Sequence, residues 1–260
     1  KWEIKLKKYW IVIFALLEFA ATRASAEDEP SATPYRPTVS TPANLSEPGW
    51  VEIEMGGQRT NNGSSAHRDN ILYALKYAFT PDWGVRVGGD TWVREVGNDG
   101  SRLSGFGDMA IVVKRRFPIT DAAAFGLEGG VNLPTAKDGL GSSKADYLLS
   151  GIYSANLGAY HTDLNLGATR LGQIDTGESR WQTNWAASLS RSITDRWGVA
   201  GEFSGIYHRG TLSTAQFLVA ASYNYTKRVV FDAGAAAGLN RASPDWSLFA
   251  GVTLLLGKVW

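Results

Sequence analysis

The chain contains no cysteine, and only three histidines and two methionines among its 260 residues. Without thiols there can be no disulfide, thiolate metal site or cysteine nucleophile, so stability must come from hydrogen bonding and burial. The histidines, His67, His161 and His208, are too scattered to give metal-ligand spacing. No Gly-x-Ser-x-Gly elbow occurs, and Gly139-Leu140-Gly141-Ser142-Ser143-Lys144 lacks the Gly-Lys-Ser/Thr ending of a phosphate loop. An excess of one charge is missing too: 26 bases face 25 acids, which leaves no electrostatic case for nucleic acid as a partner. No cofactor is implied.

A helix that spans a bilayer needs roughly 20 apolar residues. The apolar stretch at 9–17 is shorter than that, and Glu18 interrupts its end. Preceded by Lys1, Lys5, Lys7 and Lys8 and followed by Ala24-Ser25-Ala26, it reads as a secretory signal over 1–26, cleaved before Glu27. Its removal takes away five bases and two acids, leaving 21 against 23. Residues 27–48 are rich in Pro, Ser, Thr and charge with little to bury, and form an expected periplasmic leader or plug.

From 49 to 260 the texture changes to segments in which apolar and polar side chains alternate, the period of a strand. They lie near 50–59, 69–79, 84–95, 105–117, 122–133, 145–155, 158–169, 181–192, 198–208, 213–225, 229–240 and 246–259. Tight connections at Thr80-Pro81-Asp82, 118–121, 194–196 and 226–228 alternate with longer polar ones at 60–68, 96–104, 134–144 and 170–180. Short turns on one rim and long loops on the other are the asymmetry of a membrane barrel. The expected fold is all-β: a transmembrane antiparallel up-and-down barrel of about twelve strands, with both termini on the periplasmic side of a bacterial outer membrane.

Facing separates this fold from a soluble β-sandwich. On the segment at 84–95, Val85, Val87, Gly89, Thr91 and Val93 alternate with Arg86, Gly88, Asp90, Trp92 and Arg94. The next segment sets Met109, Ile111, Val113 and Phe117 against Asp108, Lys114 and Arg116, and 198–208 sets Val199, Phe203 and Tyr207 against Glu202 and His208. A charge facing lipid near the midplane costs about 2–4 kcal/mol, so these charges are expected inside. Aromatics such as Trp50, Tyr77, Phe79, Trp83, Trp181, Trp197, Tyr223 and Trp246 cluster near strand ends, as interfacial girdles do. The last segment carries Val252, Leu254, Leu256, Lys258 and Trp260 on one face, an ending of the kind that barrel-assembly machinery recognises.

Several motifs carry a resemblance: Arg36-Pro37 with Ser40-Thr41-Pro42, then Pro48-Gly49-Trp50-Val51-Glu52-Ile53-Glu54. Others are Thr80-Pro81-Asp82-Trp83-Gly84-Val85, Gly105-Phe106-Gly107-Asp108, Leu133-Pro134-Thr135, Thr194-Asp195-Arg196-Trp197-Gly198-Val199 and Ser243-Pro244-Asp245-Trp246. Together they resemble the meta-pathway phenol degradation family of outer-membrane transporter-like β-barrel proteins. The resemblance implies passage of aromatic compounds.

Alternation assigns the inward bases Lys76, Arg86, Arg94, Lys114 and Arg116, and the inward acids Glu52, Glu54, Asp90, Asp108, Glu128, Asp146, Asp163, Glu202 and Asp232. Strand direction gathers Lys76, Arg86, Lys114 and Arg116 in the periplasmic half beside Glu52 and Glu54. Such a set either braces the wall as an ion-pair lattice or forms a constriction whose transverse field orients solutes. Twelve strands leave a narrow lumen, and Gly126, Gly130, Ala186, Ser188, Ser190, Gly234, Ala236 and Gly238 give room inside it. The leader could fold up into that space, with Arg36 meeting lumen acids. The expected function is a passive channel for small, hydrophobic or aromatic molecules. A closed structural barrel is the alternative, and a lipid-active enzyme would require reversed faces. Outer-membrane lipid, the assembly machinery and a small solute are the expected partners.

Overall fold

The computed structural model describes residues 29–63 and 65–259; the signal expected at 1–26 lies outside the described residues. Within them the chain forms thirteen strands: β1 Trp50–Asn61, β2 His67–Ala78, β3 Trp83–Val96, β4 Arg102–Gly105, β5 Met109–Thr120, β6 Ala123–Leu133 and β7 Asp146–Leu157. The others are β8 Tyr160–Arg170, β9 Trp181–Ser192, β10 Trp197–His208, β11 Thr214–Thr226, β12 Val229–Gly238 and β13 Trp246–Lys258. Each pairs antiparallel with its neighbours, and β1 closes on β13 from Trp50↔Lys258 to Asn61↔Trp246. Twelve strands therefore make a closed barrel, while β4 extends only the upper part of β3.

Turn chemistry sets the short rim. Thr80 Oγ1 accepts from the Asp82 and Trp83 amides at 3.3 and 3.0 Å, and Thr194 Oγ1 repeats this for Arg196 and Trp197 at the same distances. Gly158 supplies the positive φ, 65°, that the first position of a two-residue II′ hairpin requires. Strand direction puts residues 49 and 258 on this same rim.

The outer surface is apolar around the barrel, with Leu75, Val113, Leu164, Leu166, Leu189, Phe203, Val219 and Leu248 all exposed. In water so large a patch would drive aggregation; within a bilayer it is the buried surface. Rings gather at both edges of the band, including Trp197 against Tyr223 at 4.8 Å between centroids.

Two bulges change the expected facing. On β3, Ile71↔Trp92 and Leu72↔Asp90 leave Thr91 as the extra residue, its hydroxyl donating to the Ile71 carbonyl at 3.1 Å. Two residues on one strand then oppose one on the other, and the side-chain phase inverts beyond that point. Val93 consequently turns inward and is fully buried, while Trp92 turns out. Arg94 also faces outward, paired across the ladder with Asp69, and so stands outside the lumen bases among which alternation placed it. The second bulge, at Leu256, shifts the pairing of β13 with Val51 and Glu52. The single strand expected at 105–117 is in fact β4 and β5, interrupted where the Gly107 amide bonds to the Asp90 carbonyl.

Candidate functional site: a charged lumen around the leader

Residues 30–48 run inside the barrel rather than beneath it. The Ala32 amide bonds to the Lys227 carbonyl at the short rim; the chain then climbs to Val39 and Ser40, whose amides donate to Glu202 on β10 at 3.1 and 2.7 Å. It descends through Ala43, whose amide donates to Ser154 Oγ on β7, to Pro48, which bridges to Ala78. Ala43 packs fully buried against Ala124 and Ile152. Proline and threonine form no ladder here; the leader's amides go to wall carboxylates and hydroxyls, which satisfies backbone groups that could not otherwise be buried.

The densest cluster of charge surrounds Tyr35. Lys76 Nζ pairs with Glu52 and with Glu54, the latter at 2.5 Å, and donates to the Thr33 carbonyl at 2.7 Å. Lys114 Nζ lies 2.9 Å from Glu128 and donates to the Pro42 carbonyl at 2.7 Å. Both ammonium groups sit 3.9 Å from the centre of the Tyr35 ring, an arrangement in which the ring's negative face attracts each cation. Glu52 Oε2 and Glu54 Oε1 in turn accept the Thr33 and Tyr35 amides. Arg86, 3.9 Å from Glu128, completes a set of three bases and three acids whose charges cancel.

Higher up, Arg36 reaches Asp232 on β12 with two bonds, of 3.1 and 2.9 Å. Its guanidinium lies over Gly56 and Gly251, a cross-strand pair at the β1–β13 seam. A β-carbon at Gly56 would come within 2.6 Å of Arg36 Cζ, and one at Gly251 within 2.5 Å of Nε, so the slot exists because both side chains are absent.

The remaining charges have local partners. Asp90 accepts from Arg68 and Asn70, and Arg68 also pairs with Glu95 at 2.6 Å. Arg68 and Glu95 escaped the sequence reading, Glu95 because the bulge inverted its face. Arg116 bonds to Asn44 at 3.0 Å and lies 3.8 Å from Asp82. Asp146 accepts the Gly172 amide. Asp108, at the mouth, accepts the Ala136 and Ser142 amides at 2.9 and 2.6 Å and holds the 134–145 loop over the lumen. Burial pushes the Asp108 carboxyl up, but these donors, with the Ser142 hydroxyl and Asn132, outweigh it and leave it below the usual carboxylate range.

Asp163 binds both the Ser154 hydroxyl and His161 Nε2, the latter at 3.2 Å. A serine relay needs the imidazole between hydroxyl and carboxylate; here the serine donates to the carboxylate itself. His208, also inward, contacts the Ser179 carbonyl through Nε2.

Sizeable cavities remain around the leader. One of about 440 Å³ lies against Arg36, Glu54, Asp90 and Asp108; a second, of about 670 Å³, lies against Asn165, Gln182, Asn184 and Gln216. A third, of about 520 Å³, lies on the periplasmic side, lined by Ser188, Ser190, Ser222 and Asn224.

No protein-family model matches the chain, and no curated protein matches it in sequence. Solved structures do match. An outer-membrane channel from Pseudomonas putida superposes with a TM-score of 0.66 at 14% identity, over 82% of this chain and 97% of that one. The NanC porin gives 0.55 at 7% identity, over 78% and 98%. The KdgM porin, in complex with disordered oligogalacturonate, gives 0.52 at 12%, again over 78% and 98%. At these identities the likeness establishes architecture: the chain has the fold of a twelve-stranded porin-like membrane barrel.

Proposed function

We propose that this protein is a passive outer-membrane channel for small molecules, whose lumen is closed by its own leader. The carrying observation is the combination of a polar, cavity-bearing lumen with a leader held there almost entirely by side chains of the wall. A barrel that served only as a scaffold would need no cavities of 520–670 Å³ above and below the obstruction. In this reading Glu52, Glu54, Lys76, Lys114, Glu202 and Asp232 hold the leader, instead of forming a bare constriction with a transverse field. Asp163 acts through Ser154, and Glu128 balances Lys114 with Arg86 beside the pair.

Aromatic compounds are the proposed solutes, on the strength of the resemblance to the meta-pathway phenol degradation family. A cleaved signal over 1–26 and insertion by the barrel-assembly machinery belong to the same proposal. Liposome swelling tests it. Vesicles carrying the refolded mature protein should admit a neutral aromatic that lipid excludes, such as a phenyl glucoside, only slowly, and removal of residues 27–48 should speed its entry and widen the admitted size range. Swelling equal to that of protein-free vesicles for both proteins would favour the closed structural barrel.

A further inference from the structure

The leader's crest, at Val39 and Thr41, borders both upper cavities and divides the mouth of the lumen into two unlike compartments. On one side stand Arg36, Glu54, Asp90 and Asp108. The other, about 670 Å³, meets charge among the described residues only at Arg86 and Glu128, members of the six-charge set around Tyr35 that sums to zero. Its wall is built from amides, hydroxyls and a few apolar side chains.

The amides keep spare capacity. Gln216 Nε2 donates to Ser204 at 3.1 Å, and Asn184 Oδ1 accepts from Thr169 at 3.4 Å. Among the described residues, Gln216 Oε1, Asn184 Nδ2 and both ends of Gln182 have no protein partner. Beside them Ile206 and Val39, 39% and 55% exposed, line the cavity together with Leu148. An ion entering here would lose water and meet only charges that already have counter-ions, whereas a neutral molecule could satisfy the amides and rest its apolar body on Ile206, Leu148 and Val39.

We infer that this compartment is a binding site for an uncharged, amphiphilic small molecule carrying a hydroxyl or carbonyl group. Gln182, Asn184 and Gln216 supply the hydrogen bonds, and Ile206 supplies the apolar floor. The inference rests on the channel reading and names the class of solute that the channel collects; charged analogues are excluded at this step.

Methyl NMR on the full mature barrel in micelles tests it, because the Ile206 δ1 methyl reports from inside the compartment. The probes are benzyl alcohol, benzoate, benzylamine and toluene. Benzyl alcohol should shift the Ile206 signal saturably, at a concentration about tenfold below that needed for any of the other three. Asn184→Leu with Gln182→Leu should raise that concentration about tenfold, and Asn184→Gln should restore much of it. Gln216→Leu, at a separate position, gives a second test if the double variant does not fold, as judged by heat-modifiable gel migration. Equal response to benzoate, benzylamine or toluene, or amide variants without effect, would overturn the inference. Binding without flux would sink only the channel reading, and flux without binding only this one.

Discussion

Gly56 illustrates how a missing side chain can hold a segment in place. The three atoms nearest a β-carbon built there all belong to the Arg36 guanidinium, so Gly56→Ala should dislodge that group without touching its charge or its Asp232 partner. Gly57, next in sequence, has nothing within 4 Å and serves as control. The absence of cysteine allows a single nitroxide to be placed at Val39→Cys. A mobile spectral component should appear with Gly56→Ala and not with Gly57→Ala; identical spectra would mean that the guanidinium slot does not anchor the leader. Lys76 is the matching case for charge. Replacing it with Met leaves Glu52 and Glu54 buried without their counter-ion, and removing one partner of a buried pair destabilises by about 3–5 kcal/mol. Urea unfolding in micelles reads this loss, and a change within error would show that the carboxylates reach water.

Elements differ in how openly their sequence declares them. The strands and their lumen faces were legible because lipid outside and water inside impose opposite chemistry on alternate residues, as at Val113 and Lys114. Arg94 was not, since a bulge at Thr91 has no local signature; its cause is the register that β2 and β3 reach together. The break between β4 and β5 is also a long-range effect, made by Asp90 and by Asp108's turn toward residues 136–142. That Asp108 contact carries a pH dependence. Its folded-state pKa is lowered, so its contribution is fully present above the unfolded value of about 3.9 and is lost as pH falls through the lower folded value. The Ala136 and Ser142 amide shifts should titrate together with a midpoint below about 3.9. Asp108→Asn should abolish that titration, and a midpoint at or above the unfolded value would contradict the proposed latch.

At the scale of the whole molecule, the barrel and its leader divide the work. The closed ladder supplies rigidity and a polar interior, and the leader fills the centre of that interior with chain that has no core of its own. Composition alone reveals that residues 27–48 cannot bury themselves. It cannot reveal their docking site, because Arg36 and Asp232 lie 196 positions apart and meet only once the barrel has closed. The same separation makes the leader removable in principle, since the strand ladder pairs without it. The most direct test is single-channel conductance in a planar bilayer, comparing the mature protein with Arg36→Ala plus Glu202→Gln. The intact protein should be silent or open only briefly, and the variant should show long openings of larger conductance. If the two proteins conduct alike, or if both stay silent while correctly folded, the leader does not gate a channel and the account fails.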